Sequence, residues 1–336
     1  MSFLAQTCEE LISNSDLFSV STLTTAINQK DNIPGRIKAL GLFHEKGIPT
    51  TDIAIEFKKG IVELVQSSLR GGNPQYAGEE TREIVKLQTT HLLQAVSVIA
   101  DEFQNLRPFG NSSYEDQVQD YILYKLESLK NNNEATFEYQ RAGALVGKVL
   151  DKDGSVILDI HKEFGLEPVI DELDLSLGTT KKQIRAIKKK AKEALKVSNI
   201  SRWVALCGPS FFDSLEGADD VRESFLRFRE GEVLRQDNDA IQYASIVWEE
   251  YDAFVGDTKF IAEDEAILVP VVDGLCITRF APADYVDTVD TMGVPHYARA
   301  EAKRMNKGFD LECQSNPISL VTVPDAVRRI KLTASA

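Results

Sequence analysis

Cysteine is scarce in this chain, and its few copies stand apart. Cys8, Cys207, Cys276 and Cys313 are the four thiols among 336 residues, and no two fall at CxxC spacing. That pattern excludes the common zinc ribbons and argues for a reducing compartment rather than a disulfide framework. The expected place for such thiols is in or near the core. Histidine is as sparse. His44, His91, His161 and His296 lie in separate segments, with no HxH, HExxH or HxxE pattern to gather them on a metal. No apolar run reaches the ~20 residues that a membrane-spanning helix needs. The start, MSFLAQTCEELISNSDLF, lacks the basic opening and apolar centre of a secretory signal. Synthesis and assembly in cytoplasm are therefore expected. The last deficit is positive charge. Lys and Arg number 38 against 52 Asp and Glu, a net charge of −14. This argues against a generic nucleic-acid binder working through a basic surface.

What is present is organised around residues 113–164. Val118, Ile122, Leu126 and Leu129 recur at spacings of three and four, so they share one helical face. Ser112 and Ser113 are suited to cap the start, and Glu115 and Asp116 to favour its dipole end. Asn131, Asn132 and Asn133 interrupt the pattern, which Phe137, Arg141, Ala144 and Leu145 resume. A continuous helix from Tyr114 to Leu145 would run about 45 Å. The period then switches to that of a β-hairpin turning at Asp151-Lys152-Asp153-Gly154.

On either side the chain is more varied, and its length allows two subdomains or more. Residues 1–49 hold a short helix at Leu4–Leu11, a Ser- and Thr-rich run from Phe18 to Ile27, a turn at 31–35 and an apolar cluster at Leu40, Leu42 and Phe43. This arm has few ways to bury itself and is expected to lie on something else. In residues 50–92, Ile53, Ile55 and Phe57 alternate with polar neighbours, Lys58-Lys59-Gly60 reads as a turn, and Ile61–Leu64 begins a return strand. A further alternating run lies at 84–88. Such a ribbon is marginal alone and more plausible on a neighbouring subunit. Glu167–Asp174 reads as a linker and Thr179–Val197 as a helix. Its Lys188, Lys189, Lys190 and Lys192 are expected on a solvated face. Trp203–Cys207 is a buried strand, Ser210 caps a helix through Leu215, and Val221–Phe228 is a second helix. Strands follow at Ile241–Tyr251, Ala266–Val272 and Leu275–Phe280. Three last runs, Phe309–Cys313, Ile318–Val323 and Val327–Leu332, are expected to pair as a closing sheet.

Signatures of chemistry are weak. Asp151-Lys152-Asp153-Gly154 has the look of a calcium loop, but the twelfth position, residue 162, is Lys instead of Glu. Cys207-Gly208-Pro209-Ser210 follows a strand as a nucleophile turn does, yet GxSxG is missing. Arg70-Gly71-Gly72 is too short to cradle a phosphate. Glu249, Glu250, Glu263, Asp264 and Glu265 are the acids from which an active-site pair would have to come, and acids near turns are usually solvated. No catalytic, cofactor-binding or metal-ligating residue is assigned.

The order of segments carries a resemblance. Leu23-Thr24-Thr25-Ala26-Ile27-Asn28, Pro34-Gly35-Arg36 and Gly41-Leu42-Phe43 open it, followed by Arg70-Gly71-Gly72 and by residues 101–110, DEFQNLRPFG. The central block is Ala135-Thr136-Phe137-Glu138-Tyr139-Gln140-Arg141, Gly143-Ala144-Leu145, residues 147–156, GKVLDKDGSV, and Glu163-Phe164-Gly165. Downstream stand Trp248-Glu249-Glu250-Tyr251, residues 280–285, FAPADY, and Gln314-Ser315-Asn316-Pro317. Over nearly its full length the chain resembles the phage major capsid protein E family, the lambda-type branch of tailed-bacteriophage shell proteins. Trp248, where a Phe-like residue is usual, is a departure.

The resemblance implies an α+β tailed-phage major capsid fold. Residues 1–49 would be the N-terminal arm and 50–92 the extended β-ribbon loop. Residues 93–166 would be a peripheral domain with a long spine helix and a hairpin, 167–300 an axial domain, and 301–336 C-terminal strands returning to the peripheral domain. It further implies a structural protein, not an enzyme, that self-assembles into hexameric and pentameric capsomers of an icosahedral shell enclosing double-stranded DNA. No cofactor is implied. Scaffold, portal and decoration proteins would be further partners, with DNA touched only weakly and no membrane. Its place would be the virion, after assembly in the host cytoplasm. The alternatives are a cellular nanocompartment shell of the same fold and, more remotely, a cytosolic α+β enzyme.

Overall fold

The computed structural model describes residues 19–29, 35–59, 81–104, 114–196, 200–223, 240–255 and 258–333. Ser19 accepts the Thr22 amide on its hydroxyl at 3.2 Å and opens helix α1 (Val20–Gln29), whose Leu23 and Ile27, four apart, both turn inward. This part of the arm thus lies on another surface, as expected, and that surface belongs to its own chain. The helix expected at Leu4–Leu11 lies outside the described residues. Helix α2 (Arg36–Ala39) and strand β1 (His44–Gly47) follow. Strands β2 (Asp52–Lys59) and β3 (Thr81–Gln88) pair as a two-stranded ribbon. Lys58 and Lys59 belong to β2 and not to a turn; the return strand expected at Ile61–Leu64 lies outside the described residues.

Strand β4 (Leu92–Ile99), helix α3 (Ala100–Gln104) and helix α4 (Tyr114–Val146) come next. At 33 residues α4 is about 50 Å long, and it runs unbroken through Asn131, Asn132 and Asn133. The expected interruption is absent because tertiary partners take up the amides. Asn133 Oδ1 accepts from Gln94 Nε2 at 2.6 Å, and Asn132 Nδ2 donates to Gln94 Oε1 at 3.1 Å. Strands β5 (Lys148–Leu150) and β6 (Val156–Asp159) form the expected hairpin, where Gly154 takes the turn's positive φ of 82°. Helix α5 (Ile160–Glu163) is capped by Asp159.

The segment expected as a linker contains strand β7 (Ile170–Leu173). Helix α6 (Thr180–Leu195) and strand β8 (Arg202–Cys207) match expectation. Helix α7 (Pro209–Gly217) has Gly208 at its cap, so Ser210 lies inside it and does not cap it. Of the helix expected at Val221–Phe228, residues 224–228 are outside the described residues. The run Ile241–Tyr251 is two strands, β9 (Ala240–Tyr243) and β10 (Ile246–Glu250). They join through Ala244 and Ser245, which both adopt positive φ, the conformation of a tight hairpin turn. Strands β11 (Phe254–Val255), β12 (Thr258–Lys259), β13 (Glu265–Val271), β14 (Cys276–Phe280), β15 (Tyr297–Ala302), β16 (Gly308–Ser315), β17 (Pro317–Val321) and β18 (Arg328–Leu332) complete the chain.

Two units result. The first draws on Met1–Ile53, Gln88–Tyr139 and Thr278–Ser319, the second on Ala54–Leu87, Gln140–Ile277 and Leu320–Ala336. In the first, β15, β16 and β4 form an antiparallel sheet whose alternate residues Val98, Ala298, Ala300, Phe309, Leu311 and Cys313 point to one side. Leu23 and Ile27 of α1 and Val118, Ile122 and Leu126 of α4 close that core. Gly308 holds φ at +134°, and a Cβ there would stand 2.0 Å from the Val98 carbonyl oxygen, so the β15–β16 turn needs glycine.

The second unit is built on a six-stranded mixed sheet in the order β7-β18-β13-β8-β10-β9. Trp203, Ala205 and Cys207 of β8 face helices α6 and α7 across it. At the centre Trp248 stacks on Phe211, ring centroids 6.1 Å apart, and donates its indole N–H to the Tyr243 carbonyl at 3.2 Å. Buried Asp171 on β7 accepts from Arg328 Nε at 2.6 Å and Lys190 Nζ at 2.7 Å, which ties edge strand, β18 and α6 together. The three C-terminal runs do not pair with one another. β16 lies between β15 and β4, β17 beside β14, and β18 between β13 and β7. The closing sheet is corrected accordingly: alternation marks a strand but does not choose its partner.

Candidate functional site

The sequence-flagged residues are dispersed. His44 is exposed on β1. His91 Nδ1 lies 2.9 Å from Asn316 Oδ1 and 3.1 Å from Gln314 Nε2, one bond or the other according to its tautomer. His161 stands half-buried in α5, against Gly147. Among the described residues no three His, Cys, Asp or Glu side chains converge as metal ligands. The carboxylates of Asp151 and Asp153 are turned back on their own loop, accepting the Lys152 and Ser155 amides at 2.7 and 2.9 Å.

The acids do not form a pair either. Glu263 meets Lys259, Asp264 meets Lys331 at 2.9 Å, and Glu265 accepts from Arg329 Nη2 at 2.9 Å. Glu249 is buried and Glu250 half-buried on β10. Burial pushes the Cys207 thiol far above its ordinary value, and Cys276 and Cys313 up to about 12, so all three are thiols and not thiolates. Cys8 and Arg70-Gly71-Gly72 lie outside the described residues. The lysines of α6 divide. Lys189 is open to solvent, as expected, whereas Lys188 lies over the Trp203 ring, 5.0 Å from its centroid, and Lys190 serves Asp171.

What sequence reasoning missed is a buried charged cluster in the first unit. Beyond Leu126 the inner face of α4 changes chemistry, for Lys130, Asn133, Glu134, Phe137 and Glu138 recur at helical spacing and are all buried. Glu134 accepts from His296 Nε2 at 3.0 Å and from Lys38 Nζ at 2.9 and 3.0 Å. His296 lies flat on Phe137, centroids 5.3 Å apart. Lys130 Nζ donates to the Ile27 carbonyl at 2.9 Å, and Glu138 accepts the Ile37 amide at 2.6 Å. Burial alone would raise the Glu134 carboxyl, but the bonds from His296 and Lys38 outweigh it and hold it at about 2. Burial holds the His296 imidazole below its ordinary value against the pull of Glu134, so the ring is neutral and donates through Nε2.

The arrangement fastens Ile27, Ile37, Lys38 and His296 to one helix by directional, charge-assisted bonds. The signal was in the sequence, since charged residues at the core positions of a strong helical pattern need partners, but it does not name them.

Comparisons with known proteins agree with a shell-forming role. The model of the family described as phage major capsid protein E matches residues 19–332. The major capsid protein of Pseudomonas phage KPP10 is 23% identical over 338 residues, 92% of this chain and 95% of that protein. The major capsid protein of Salmonella phage Felix O1 is 26% identical over 160 residues, 47% of this chain and 43% of its own length. A crystal structure of a chain assigned as the capsid protein of an Escherichia coli CFT073 prophage superposes with a TM-score of 0.56 at 14% identity. That match covers 94% of this chain and 99% of the other, and at such identity it speaks for the fold, that of tailed-phage capsid proteins. The α+β architecture and the family match run together from α1 to β18, and the chain belongs to the phage major capsid protein E family.

Proposed function

We propose that this major capsid protein closes into hexamers and pentamers of an icosahedral shell around double-stranded DNA. The observation that carries the reading is the family match over residues 19–332. In this reading residues 1–49 serve as the N-terminal arm and 50–92 as a loop laid on a neighbouring subunit. Residues 93–166 form the peripheral domain on α4, 167–300 the axial domain, and 301–336 the C-terminal strands. The ribbon β2–β3 supports the second assignment, since two strands alone are marginal in water and gain by lying on another surface. Many modest interfaces per subunit then add by avidity.

The subunit's work is structural and involves no catalysis. Scaffold, portal and decoration proteins are its further partners, and assembly takes place in the host cytoplasm before the subunit resides in the virion. The net charge of −14 suits a DNA container, because a strongly cationic lining would hold the genome against packing and release. A basic inner surface on assembled particles would refute that point. Negative-stain electron microscopy of the purified chain tests the whole. Capsomer rings or uniform shells are expected; a stable monomer with a soluble activity would refute it, and shells filled with protein cargo would favour a nanocompartment.

A further inference from the structure

We infer that the exposed basic face of α6 is a docking surface for a second copy of this chain, whose acidic surface around Asp213, Glu216 and Asp219 sets against it. The inference rests on the self-assembly reading above and names one of its contacts. Ile184, Ile187 and Ala191 bury one side of α6. Lys182, Arg185 and Lys189 are exposed and, at 100° per residue, fall on the opposite side, with exposed Lys181 and Lys192 on its flank.

Taken alone, that face is poorly arranged. Lys181 and Arg185, Arg185 and Lys189, and Lys188 and Lys192 are like charges four apart, which destabilise a helix. The first turn holds no acid, and Lys181 and Lys182 sit at the positive end of the helix dipole. Glu193 offsets Lys189 at 3.7 Å, but burial first, then Lys192 and Arg185, lower the proton affinity of Lys188. Beside the first turn is an open cleft of about 370 Å³, walled by Lys181, Lys182, Arg185, Tyr243 and Asp220, whose carboxylate accepts the Thr180 amide and hydroxyl at 3.0 Å.

A chain with net charge −14 that concentrates cations on one helix offers a complement to other copies of itself. Asp213, Glu216 and Asp219 are exposed in the same unit, on and just after α7. Each copy therefore carries both halves of a head-to-tail contact, the kind that closes rings. Nucleic acid fits less well. Single strands bind where cations interleave with open aromatic faces, and here Lys188 already covers Trp203 while Tyr243 is buried.

Three variants of the full chain test the contact: K182E/R185E/K189E, D213K/E216K/D219K, and both sets combined. Sedimentation and electron microscopy would read the yield of rings and shells, with thermal melts confirming the fold. Each one-sided set is expected to lower the yield about tenfold or more, and the combined chain to recover it. Wild-type yield from either one-sided set, or no recovery in a normally folded combined chain, would overturn the inference while leaving the self-assembly reading intact. So would an α6 set that assembles normally and loses only retained DNA. A wild-type chain that stays monomeric overturns both.

Discussion

Replacing Glu134 by Gln removes the charge at the centre of the buried cluster while keeping its shape. Gln still accepts the His296 Nε2–H, but Lys38 Nζ, 2.9 and 3.0 Å from the two carboxylate oxygens, loses its counter-charge. The Glu134 carboxyl is held at about 2 against an ordinary 4.5, and its side chain is only 8% exposed, so solvent screening is slight. That shift of about 2.5 units corresponds to about 3 kcal/mol between the charged and neutral forms. Because the folded value is lowered, the stabilisation is complete well above 4.5 and drains away as pH falls towards 2. Gln imitates the protonated state. The variant is therefore expected to be less stable than wild type by about 3 kcal/mol at pH 7, narrowing to about half of that at pH 3. Urea unfolding of the unassembled chain at both pH values measures this. A gap under about 0.5 kcal/mol at pH 7, or one that does not narrow on acidification, would refute the reasoning.

Gly308→Ala would press a Cβ to 2.0 Å from a backbone carbonyl at φ +134°, so a loss of about 2–3 kcal/mol with unchanged far-ultraviolet dichroism is expected; an unshifted melting curve would contradict it. Asp171→Asn should cost about 3 kcal/mol at pH 7, since it leaves Arg328 facing a neutral amide in a buried site. Burial raises the Asp171 carboxyl, but Arg328 and Lys190 together bring it below 3.8, so this stabilisation also belongs to neutral pH and fades as pH falls under that value, as urea titrations would show. A thiol reagent at pH 8 should leave Cys207, Cys276 and Cys313 untouched in the folded chain and label them in urea; labelling within minutes without denaturant would place them at the surface.

Periodicity exposed the elements whose cause is local. Helix α4, the hairpin β5–β6, helix α6 and strand β8 each carry their own pattern, and each lies within a residue or two of where that pattern puts it. The misreadings share a different cause. Asn131–Asn133 look like a break because amides compete with backbone bonds, until Gln94 supplies them partners from another strand. Glu167–Asp174 looks like a linker because β7 is an edge strand with half its side chains in water; what holds it is Asp171 meeting Arg328, a pairing across 157 positions. The last three strands were visible as strands, yet each joins a different sheet. The buried cluster was hidden for the same reason, since Lys38, Glu134 and His296 lie in three segments far apart in the chain.

Helix α4 shows why that cluster matters to a shell subunit. Its first half is held by Val118, Ile122 and Leu126, and hydrocarbon contacts of that kind tolerate sliding and repacking. Its second half presents Lys130, Glu134 and Glu138 to the Ile27 carbonyl, Lys38 and the Ile37 amide, each bond with its own direction and distance. A slip of one residue at Ile27, Ile37 or Lys38 would strand buried charges, a far larger penalty than any gain in packing. Beyond the stability that Glu134 brings, what such a cluster contributes is register. The ionic half of α4 thus fixes where Ile27, Ile37 and Lys38 sit along the helix, while the apolar half supplies the bulk of the cohesion.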